Sequence, residues 1–238
     1  MHEKPHLLLL PGMACDEAFW RVQVEALAAI AEPRVMAYGL LDSFEAMAEA
    51  VLARAPERFA LVGHSMGGRV ALEIMRRAPG RVLKLALLAT DYRGHDNPAA
   101  RAAEAVRREN MLAKATAEGM ESFARMWVNQ ILPPYRLADE ALVAEVVAMM
   151  ARHPVEVLAA QTHAALIRED QSDLLPRIAC PTLICAGDED VLRPVEIHRQ
   201  MAERIPGSRL VVIERCAHML AMERPEAVTG ALRDWLLA

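Results

Sequence analysis

The chain has 238 residues, a length that suits one α/β domain carrying a modest insertion. Just over half of its residues are hydrophobic and a quarter are charged, an ordinary globular composition that argues against a disordered or fibrous chain. The net charge is −5 and its charged residues are scattered, which excludes the basic footprint of a nucleic-acid-binding protein.

Short apolar runs in the first third of the chain alternate with amphipathic stretches, a pattern typical of parallel strands joined by helical crossovers. Three strands are predicted there, at residues 7–10, 35–38 and 59–62. The first run ends at Pro11 after four residues, so it is too short for a signal-peptide core or a membrane span. We therefore expect a cytoplasmic protein with no membrane insertion.

Helices are predicted on both sides of the third strand. The first covers residues 44–54 and begins in a capping-box-like pattern, with Asp42 three residues before Glu45. The second begins near residues 67–68, where apolar positions start to recur at helical spacing. A strand at 82–89 follows, and because it is apolar at nearly every position we expect it to be buried on both faces.

The character of the chain changes between residue 92 and about residue 170, where strand-like runs give way to Ala-, Glu-, Arg- and Met-rich helical segments. We predict a helical lid insertion over residues 92–170, carried by a core of residues 1–91 and 171–238. Prolines divide the insertion into four predicted helices, at 98–118, 121–131, 139–152 and 154–168.

Strands and helices alternate again in the last third of the chain. Strands are predicted at 182–186 and 209–213, with helices from Pro194 onward and over 225–237. This order of elements predicts the α/β class, with a mostly parallel central sheet, helices on both faces and a helical lid.

The cysteines are not spaced as metal ligands or as a small disulfide framework, because they lie far apart or five residues apart. The four are Cys15, Cys180, Cys185 and Cys216. We expect four reduced thiols and no metal site.

Residues 63–67 read Gly-His-Ser-Met-Gly and match the Gly-x-Ser-x-Gly pattern of a nucleophile turn. The letters alone arise by chance in about one such chain per hundred, so the predicted strand before them and helix after them carry the argument. A sharp strand-to-helix turn lifts the hydroxyl of Ser65 clear of the sheet, and glycines two residues away on each side avoid clashes. The Met66 amide then lies at a helix N-terminus, where it can stabilise a developing oxyanion.

With this motif in its setting, the chain resembles the α/β-hydrolase superfamily, in the branch of small esterases, lactonases and related lid-bearing hydrolases. The resemblance spans essentially the whole chain and implies an α/β-hydrolase fold with a triad in the order Ser, acid, His. It implies Asp190 as the acid, the fourth residue of a Gly-x-x-Asp-x-x-x-Pro pattern after the strand 182–186. It implies His218 as the base, because this residue follows the next strand, where the family usually carries a Gly-His pair.

Other acids and histidines remain candidates for the triad. Asp188 and Glu189 can replace Asp190 in the same loop, and Asp91 stands at a less common acid position. His64 neighbours the nucleophile, but we expect its side chain to be packed. The remaining histidines are expected on the surface or the lid, namely His2, His6, His95, His153, His163 and His198.

The resemblance also implies a second oxyanion donor in the loop after the first strand, at the backbone amide of Met13. That loop has Pro11-Gly12 where a His-Gly pair is common, and because a backbone N–H is the donor, the change need not abolish function. The segment 39–43 is also shorter than the glycine-rich loop of many relatives, which can widen one side of the site.

Substrate contacts are expected mainly from the insertion, where flexible methionines and a tryptophan can line an apolar cleft. We predict Trp127, Met126 and Met219 as substrate-binding residues. Further candidates for the same cleft are Met13, Met111, Met120, Met149, Met150 and Met222. The alternative is that such residues pack one lid helix on another.

The leading hypothesis is a serine hydrolase that cleaves a small carboxylic ester or lactone through an acyl-enzyme on Ser65, with no metal or organic cofactor. His218 takes the proton and Asp190 holds the imidazole. The same triad can cleave another bond, such as the carbon–carbon bond of a diketone or a thioester, or run a perhydrolase reaction. A non-catalytic ligand receptor on the same fold is the rival from a different class. The expected partner is a small ester-type molecule.

Overall fold

One six-stranded sheet runs through the part of the chain that a computed structural model describes, residues 4–95 and 97–238. The strands are β1 (His6–Leu10), β2 (Glu32–Val35), β3 (Phe59–His64), β4 (Val82–Leu88), β5 (Thr182–Gly187) and β6 (Arg209–Ile213). Their order is β2-β1-β3-β4-β5-β6, and every neighbouring pair is parallel. The predicted α/β class with a mostly parallel sheet is confirmed.

Helices cover both faces of this sheet. They are α1 (Arg21–Leu27), α2 (Phe44–Arg54), α3 (Met66–Arg77), α4 (Pro98–Ile131), α5 (Glu140–Ala151), α6 (Val155–Leu166), α7 (Val195–Arg204), α8 (Leu220–Glu223) and α9 (Pro225–Leu237). Leu7 and Leu9 of β1 enter a hydrophobic cluster with α1 and α9, while Leu8 and Leu10 enter another with α2, α3 and α7. Both faces are therefore buried, as crossover helices on a parallel sheet require.

The prediction of a strand at residues 35–38 is wrong in its bounds, because the paired residues of β2 are Glu32–Val35. This strand lies at the edge of the sheet, where one side can face solvent, so charged residues such as Arg34 are tolerated. Because of these charges the strand contains no apolar run, and the prediction relied on apolar runs. The Met36 amide extends the pairing by one further hydrogen bond, to the Leu9 carbonyl at 3.0 Å.

Helix α2 covers the predicted residues, but its N-cap is Ser43 rather than Asp42. The Ser43 hydroxyl accepts a hydrogen bond from the Ala46 amide at 3.2 Å, which satisfies one of the free donors of the first turn. Asp42 instead places its backbone carbonyl 3.1 Å from the His163 ring on α6. The capping-box interpretation was therefore wrong by one residue.

Helices α4, α5 and α6 lie between β4 and β5 in the chain, inside the predicted insertion. Gly119 interrupts α4 with φ of 86°, at the predicted break between the helices 98–118 and 121–131. Helix α4 packs against both α5 and α6. The division into a core and a lid domain stays a prediction.

Three loops at the carboxyl ends of strands converge at one edge of the sheet. Ser65 follows β3, Asp190 follows β5 and His218 follows β6. In open parallel sheets this edge is where ligands bind, because the loops there meet in a crevice.

Candidate active site

Ser65 occupies the sharp turn between β3 and α3, with φ of 51° and ψ of −114°. A positive φ is uncommon for a residue with a side chain and stores strain that its surroundings must hold. Two hydrogen bonds do so here. The Ser65 amide donates to the Leu88 carbonyl at 2.9 Å, and the Thr90 hydroxyl donates to the Ser65 carbonyl at 2.6 Å.

The two glycines of the turn have no room for a side chain. A Cβ on Gly63 would lie 2.4 Å from the Gly67 carbonyl oxygen, and one on Gly67 would lie 2.3 Å from the Leu10 carbonyl oxygen. Both contacts are with backbone, which cannot swing aside. The Gly-x-Ser-x-Gly pattern therefore reflects the packing of β1, β3 and α3 behind the serine.

The three residues that the sequence singled out lie within hydrogen-bonding distance of one another. The Nε2 atom of His218 is 2.9 Å from the Ser65 hydroxyl oxygen, and its Nδ1 atom is 2.7 Å from Oδ2 of Asp190. Both His218 and Asp190 are buried. An imidazole between a hydroxyl and a carboxylate can accept the hydroxyl proton while the carboxylate stabilises the resulting cation.

Asp190 is held as an anion by its surroundings. Burial raises the pKa of its carboxyl, but the His218 ring and the amides of Leu192 and Arg193 outweigh burial and lower that pKa to about 2. The two amides donate to Oδ1 at 2.8 and 2.9 Å, which leaves Oδ2 for His218. Each oxygen of this carboxylate thus has a separate partner.

The alternative acids lie elsewhere in the structure. Asp188 and Glu189 are exposed, and Oδ1 of Asp188 accepts the Cys216 amide at 3.1 Å. The Asp91 carboxylate binds the guanidinium of Arg93 through two hydrogen bonds of 3.0 Å. None of these three carboxylates is the one that contacts the His218 ring, which is that of Asp190.

His64 is packed, as expected, but it also contacts the proposed base. Its ring stacks on Phe19 with centroids 4.1 Å apart, and its Nε2 atom lies 2.9 Å from the backbone carbonyl of His218. Burial, and then the nearby His218 ring, lower the pKa of His64 to about 3. A neutral His64 can donate Nε2–H to that carbonyl and so fix the loop that carries His218.

The loop after β1 brings the backbone of Met13 to the cavity beside Ser65. No acceptor among the described residues takes a hydrogen bond from the amide of Met13 or of Met66, so both donors are available to a ligand. Ala14 has φ of 53° and donates its amide to Oε1 of Gln161 on α6 at 2.8 Å. Sequence reasoning missed Gln161, because nothing in its local pattern connects it to a loop 147 residues away.

A cavity of about 520 Å³ opens beside Ser65 and His218. The three predicted substrate-binding residues, Trp127, Met126 and Met219, all line it. Of the other methionine candidates, the cavity is lined by Met13, Met111 and Met150, whereas Met120, Met149 and Met222 pack in the core. Met120, Met149 and Met222 therefore serve packing rather than substrate contact.

Glu223 on α8 is a buried carboxylate that sequence reasoning missed. Its Oε1 atom accepts the Met219 amide at 2.9 Å, and its Oε2 atom accepts the Ala217 amide at 3.1 Å. These amides flank His218, so Glu223 supports the backbone on both sides of that ring. Burial raises the pKa of Glu223 to about 7, against the lowering effect of the two amides.

The raised pKa of Glu223 predicts that the contribution of this residue to stability falls as pH rises from about 4.5 to about 7, since the folded protein holds the proton there and the unfolded chain releases it. Its contribution to the free energy of unfolding should drop by up to about 3 kcal/mol over that window. Glu223→Gln stays neutral, so its stability relative to the wild type should increase between pH 5 and pH 8. Urea unfolding at pH 5 and pH 8 measures it. Glu226→Gln, at an exposed site on α9, should keep the wild-type slope, and an unchanged slope in Glu223→Gln contradicts the assignment.

His198 was expected on the surface or the lid, and this prediction is wrong. The residue is fully buried on α7, where its Nε2 accepts a hydrogen bond from the Thr90 amide at 3.1 Å. A lone histidine in an amphipathic helix gives no sign of which face it takes. His6 is partly exposed on β1, the predicted insertion carries His95, His153 and His163, and His2 lies outside the described residues.

The described residues contain no group of three or more His, Cys, Asp or Glu side chains arranged to hold a metal ion. The four cysteines are free thiols. Within the same ranges, no helix is both long enough and apolar enough to cross a lipid bilayer.

Comparison with known proteins gives a family and several relatives. A family model described as serine aminopeptidase S33 matches residues 38–225. A protein of Azorhizobium caulinodans named as a carbamate hydrolase is 28% identical over 95% of this chain and 89% of its own length. A pimeloyl-[acyl-carrier protein] methyl ester esterase of Neisseria meningitidis is 29% identical over 81% of this chain and 61% of its own. Among solved structures, a thermophilic esterase of Thermogutta terrifontis is 29% identical, with a TM-score of 0.85 over 99% of this chain and 90% of that one.

Proposed function

Because the chain belongs to the serine aminopeptidase S33 family of α/β hydrolases, we propose that Ser65, His218 and Asp190 are its catalytic triad and that it hydrolyses a small carboxylic ester or lactone. The observation that carries this proposal is the continuous path of hydrogen bonds from the Ser65 hydroxyl through His218 to Asp190, of 2.9 and 2.7 Å, beside a cavity of about 520 Å³. The named esterases among its relatives support the choice of an ester bond.

The first half of the reaction forms an acyl-enzyme. Nε2 of His218 takes the proton of the Ser65 hydroxyl as the oxygen attacks the carbonyl carbon of the substrate. Asp190, ionised because its pKa is about 2, accepts Nδ1–H and stabilises the imidazolium. The leaving alcohol then receives the proton from His218, and the acyl group stays on Ser65.

The second half returns the free enzyme. Water attacks the acyl carbonyl while His218 again takes a proton, and the carboxylic acid leaves as Ser65 recovers its hydrogen. In both halves the carbonyl oxygen becomes an anion. The free amides of Met13 and Met66 are the donors proposed for it, and one such donor contributes about 3–4 kcal/mol to transition-state stabilisation.

Residues 92–170 act, in this proposal, as a lid that carries the specificity of the site. Trp127 and Met126 on α4 line the cavity, and so does Met219 in the loop that holds His218. Flexible thioether side chains can adapt to acyl groups of different shape. A cytoplasmic location also belongs to this proposal.

A panel of substrates tests the function. We expect purified protein to hydrolyse p-nitrophenyl esters of short to medium chain length or a lactone, with kcat/KM at least about tenfold above that for matched thioesters and diketones. Rates that rise and then fall with chain length would measure the depth of the cavity. A panel in which only the diketone or the thioester reacts, or in which nothing reacts, contradicts ester or lactone hydrolysis.

A further inference from the structure

The cavity beside Ser65 is lined by more positive than negative side chains. The lining contains five arginines and two carboxylates, namely Arg69, Arg107, Arg108, Arg168, Arg193, Asp91 and Glu104. This leaves a surplus of three positive charges, in a chain whose net charge is −5. A cleft lined by one sign of charge focuses the electric field and attracts ligands of the opposite sign.

The two carboxylates of the lining already have partners. Glu104 accepts Arg108 on Oε1 at 2.7 Å and Arg168 on Oε2 at 2.8 Å. Asp91 binds Arg93 through both of its oxygens. Of the remaining arginines of the lining, Arg69 shares Asp91 with Arg93, whereas Arg107 and Arg193 have no ion-pair partner among the described residues.

Arg69 is the most buried of these arginines, with a side chain only 4% exposed. Its NH2 group donates to the Arg93 carbonyl at 2.9 Å and lies 3.8 Å from Oδ2 of Asp91. Its NH1 group is buried and has no hydrogen-bond partner among the described residues. Buried polar groups in folded proteins nearly always have a partner, so Arg69 has an unused hydrogen-bond donor while its side chain lines the cavity.

The guanidinium of Arg69 remains a cation near neutral pH. Burial lowers the pKa of Arg69 to about 9, partly offset by Asp91. A cation in a poorly solvated wall attracts an anion more strongly than it would in water.

Arg69 lies close to the nucleophile Ser65 along the chain. It lies four residues after Ser65, on the first turn of α3, and four residues of helix rise about 6 Å. Arg193 enters the same cavity from the loop that carries Asp190, and its NH1 group donates only to the neighbouring Leu192 carbonyl at 2.6 Å. No described carboxylate lies within ion-pair distance of Arg193.

We propose that the substrate carries a carboxylate a few bonds from the scissile ester carbonyl, and that Arg69 and Arg193 bind it. This inference rests on the proposed function, since it assumes that an ester occupies the cavity. Guanidinium groups bind carboxylates through paired hydrogen bonds.

Matched esters test the charge preference. Mono-p-nitrophenyl adipate and p-nitrophenyl hexanoate differ by a carboxylate in place of the terminal methyl group, and 4-acetoxybenzoate and phenyl acetate place the charge on the alcohol side instead. We expect kcat/KM of the wild type to favour the acid roughly tenfold to a hundredfold in at least one pair, and the pair shows which side of the ester the arginines hold. Equal kcat/KM within both pairs overturns the proposal.

Variants link the preference to the two arginines. Arg69→Gln should reduce the acid-to-neutral ratio of kcat/KM about tenfold or more, and Arg193→Gln should reduce it in the same direction. Arg101→Gln is the matched control, since this exposed arginine on α4 is not part of the lining and its loss changes the net charge equally. If Arg69→Gln does not fold, Arg193→Gln carries the test. A ratio unchanged in the folded variants, or changed equally in Arg101→Gln, contradicts the assignment.

Binding without turnover separates this inference from the proposed function. Adipate should raise the melting temperature of Ser65→Ala, whereas neutral adipamide should not. Hydrolysis of neutral esters without any preference for acids would remove the carboxylate subsite and leave the proposed function standing. Stabilisation by adipate in a chain that hydrolyses no ester would remove the proposed function and leave the carboxylate subsite standing. A melting temperature that adipate does not raise would count against the subsite.

Discussion

Replacing Ser65 with alanine should lower kcat/KM for a p-nitrophenyl ester about a millionfold, the size of loss seen when a triad nucleophile is removed. The side chain of Ser65 has one hydrogen-bond partner, His218, so its removal withdraws the attacking oxygen and little else. The turn already has a positive φ at this position, and alanine meets the same strain as serine. The variant should therefore fold, with an unchanged circular dichroism spectrum and nearly the same melting temperature.

Ser122→Ala provides the comparison, because Ser122 lies on α4 outside the cavity lining and donates only to Glu118. It should keep the wild-type rate. Removal of a triad nucleophile leaves almost no activity. Ester hydrolysis by Ser65→Ala within about tenfold of the wild-type rate would therefore mean that another group attacks the substrate.

Replacing Asp190 with asparagine should lower kcat about ten-thousandfold while leaving KM nearly unchanged. The side-chain amide of the introduced asparagine can donate to Nδ1 of His218, which forces the ring proton onto Nε2. A protonated Nε2 cannot accept the hydrogen of the Ser65 hydroxyl, which lies 2.9 Å away. The geometry survives but the base is in the wrong tautomer.

Glu189→Gln is the matched variant for this experiment, since it removes a neighbouring carboxylate that is exposed and does not contact His218. Its kcat should stay close to that of the wild type. Equal losses in the two variants, measured by steady-state kinetics at pH 8, would contradict the selection of Asp190 as the acid.

The elements of the fold could be predicted wherever their apolar pattern was strong. Strands β1, β3, β4 and β5 are largely buried on both sides, so they appear in the sequence as nearly continuous apolar runs. Strand β2 lies at the edge and carries Glu32 and Arg34, so its pattern is weak and the prediction was displaced. Helix α8 has only four residues, too few for a helical period to be read from the sequence.

Residues of the candidate site could be predicted from the sequence only where a short local motif marks both the reactive side chain and the turn that holds it. Ser65 lies between two glycines that its turn requires, and Asp190 and His218 each follow a strand end. Glu223 and Arg69 carry no such mark, because a glutamate or an arginine in a helix is usually solvated. Their roles depend on burial beside His218 or in the cavity wall, which only the packing of distant segments produces.

Covalent labelling shows whether the Ser65 hydroxyl is an activated nucleophile. A fluorophosphonate reacts with a serine only when a neighbouring base makes its oxygen nucleophilic. Mass spectrometry of the labelled and digested protein should place a single phosphonyl group on the peptide that contains Ser65, and Ser65→Ala should take up none. An intact, folded chain that remains unlabelled, or a label on a different residue, would mean that Ser65 is not an activated nucleophile.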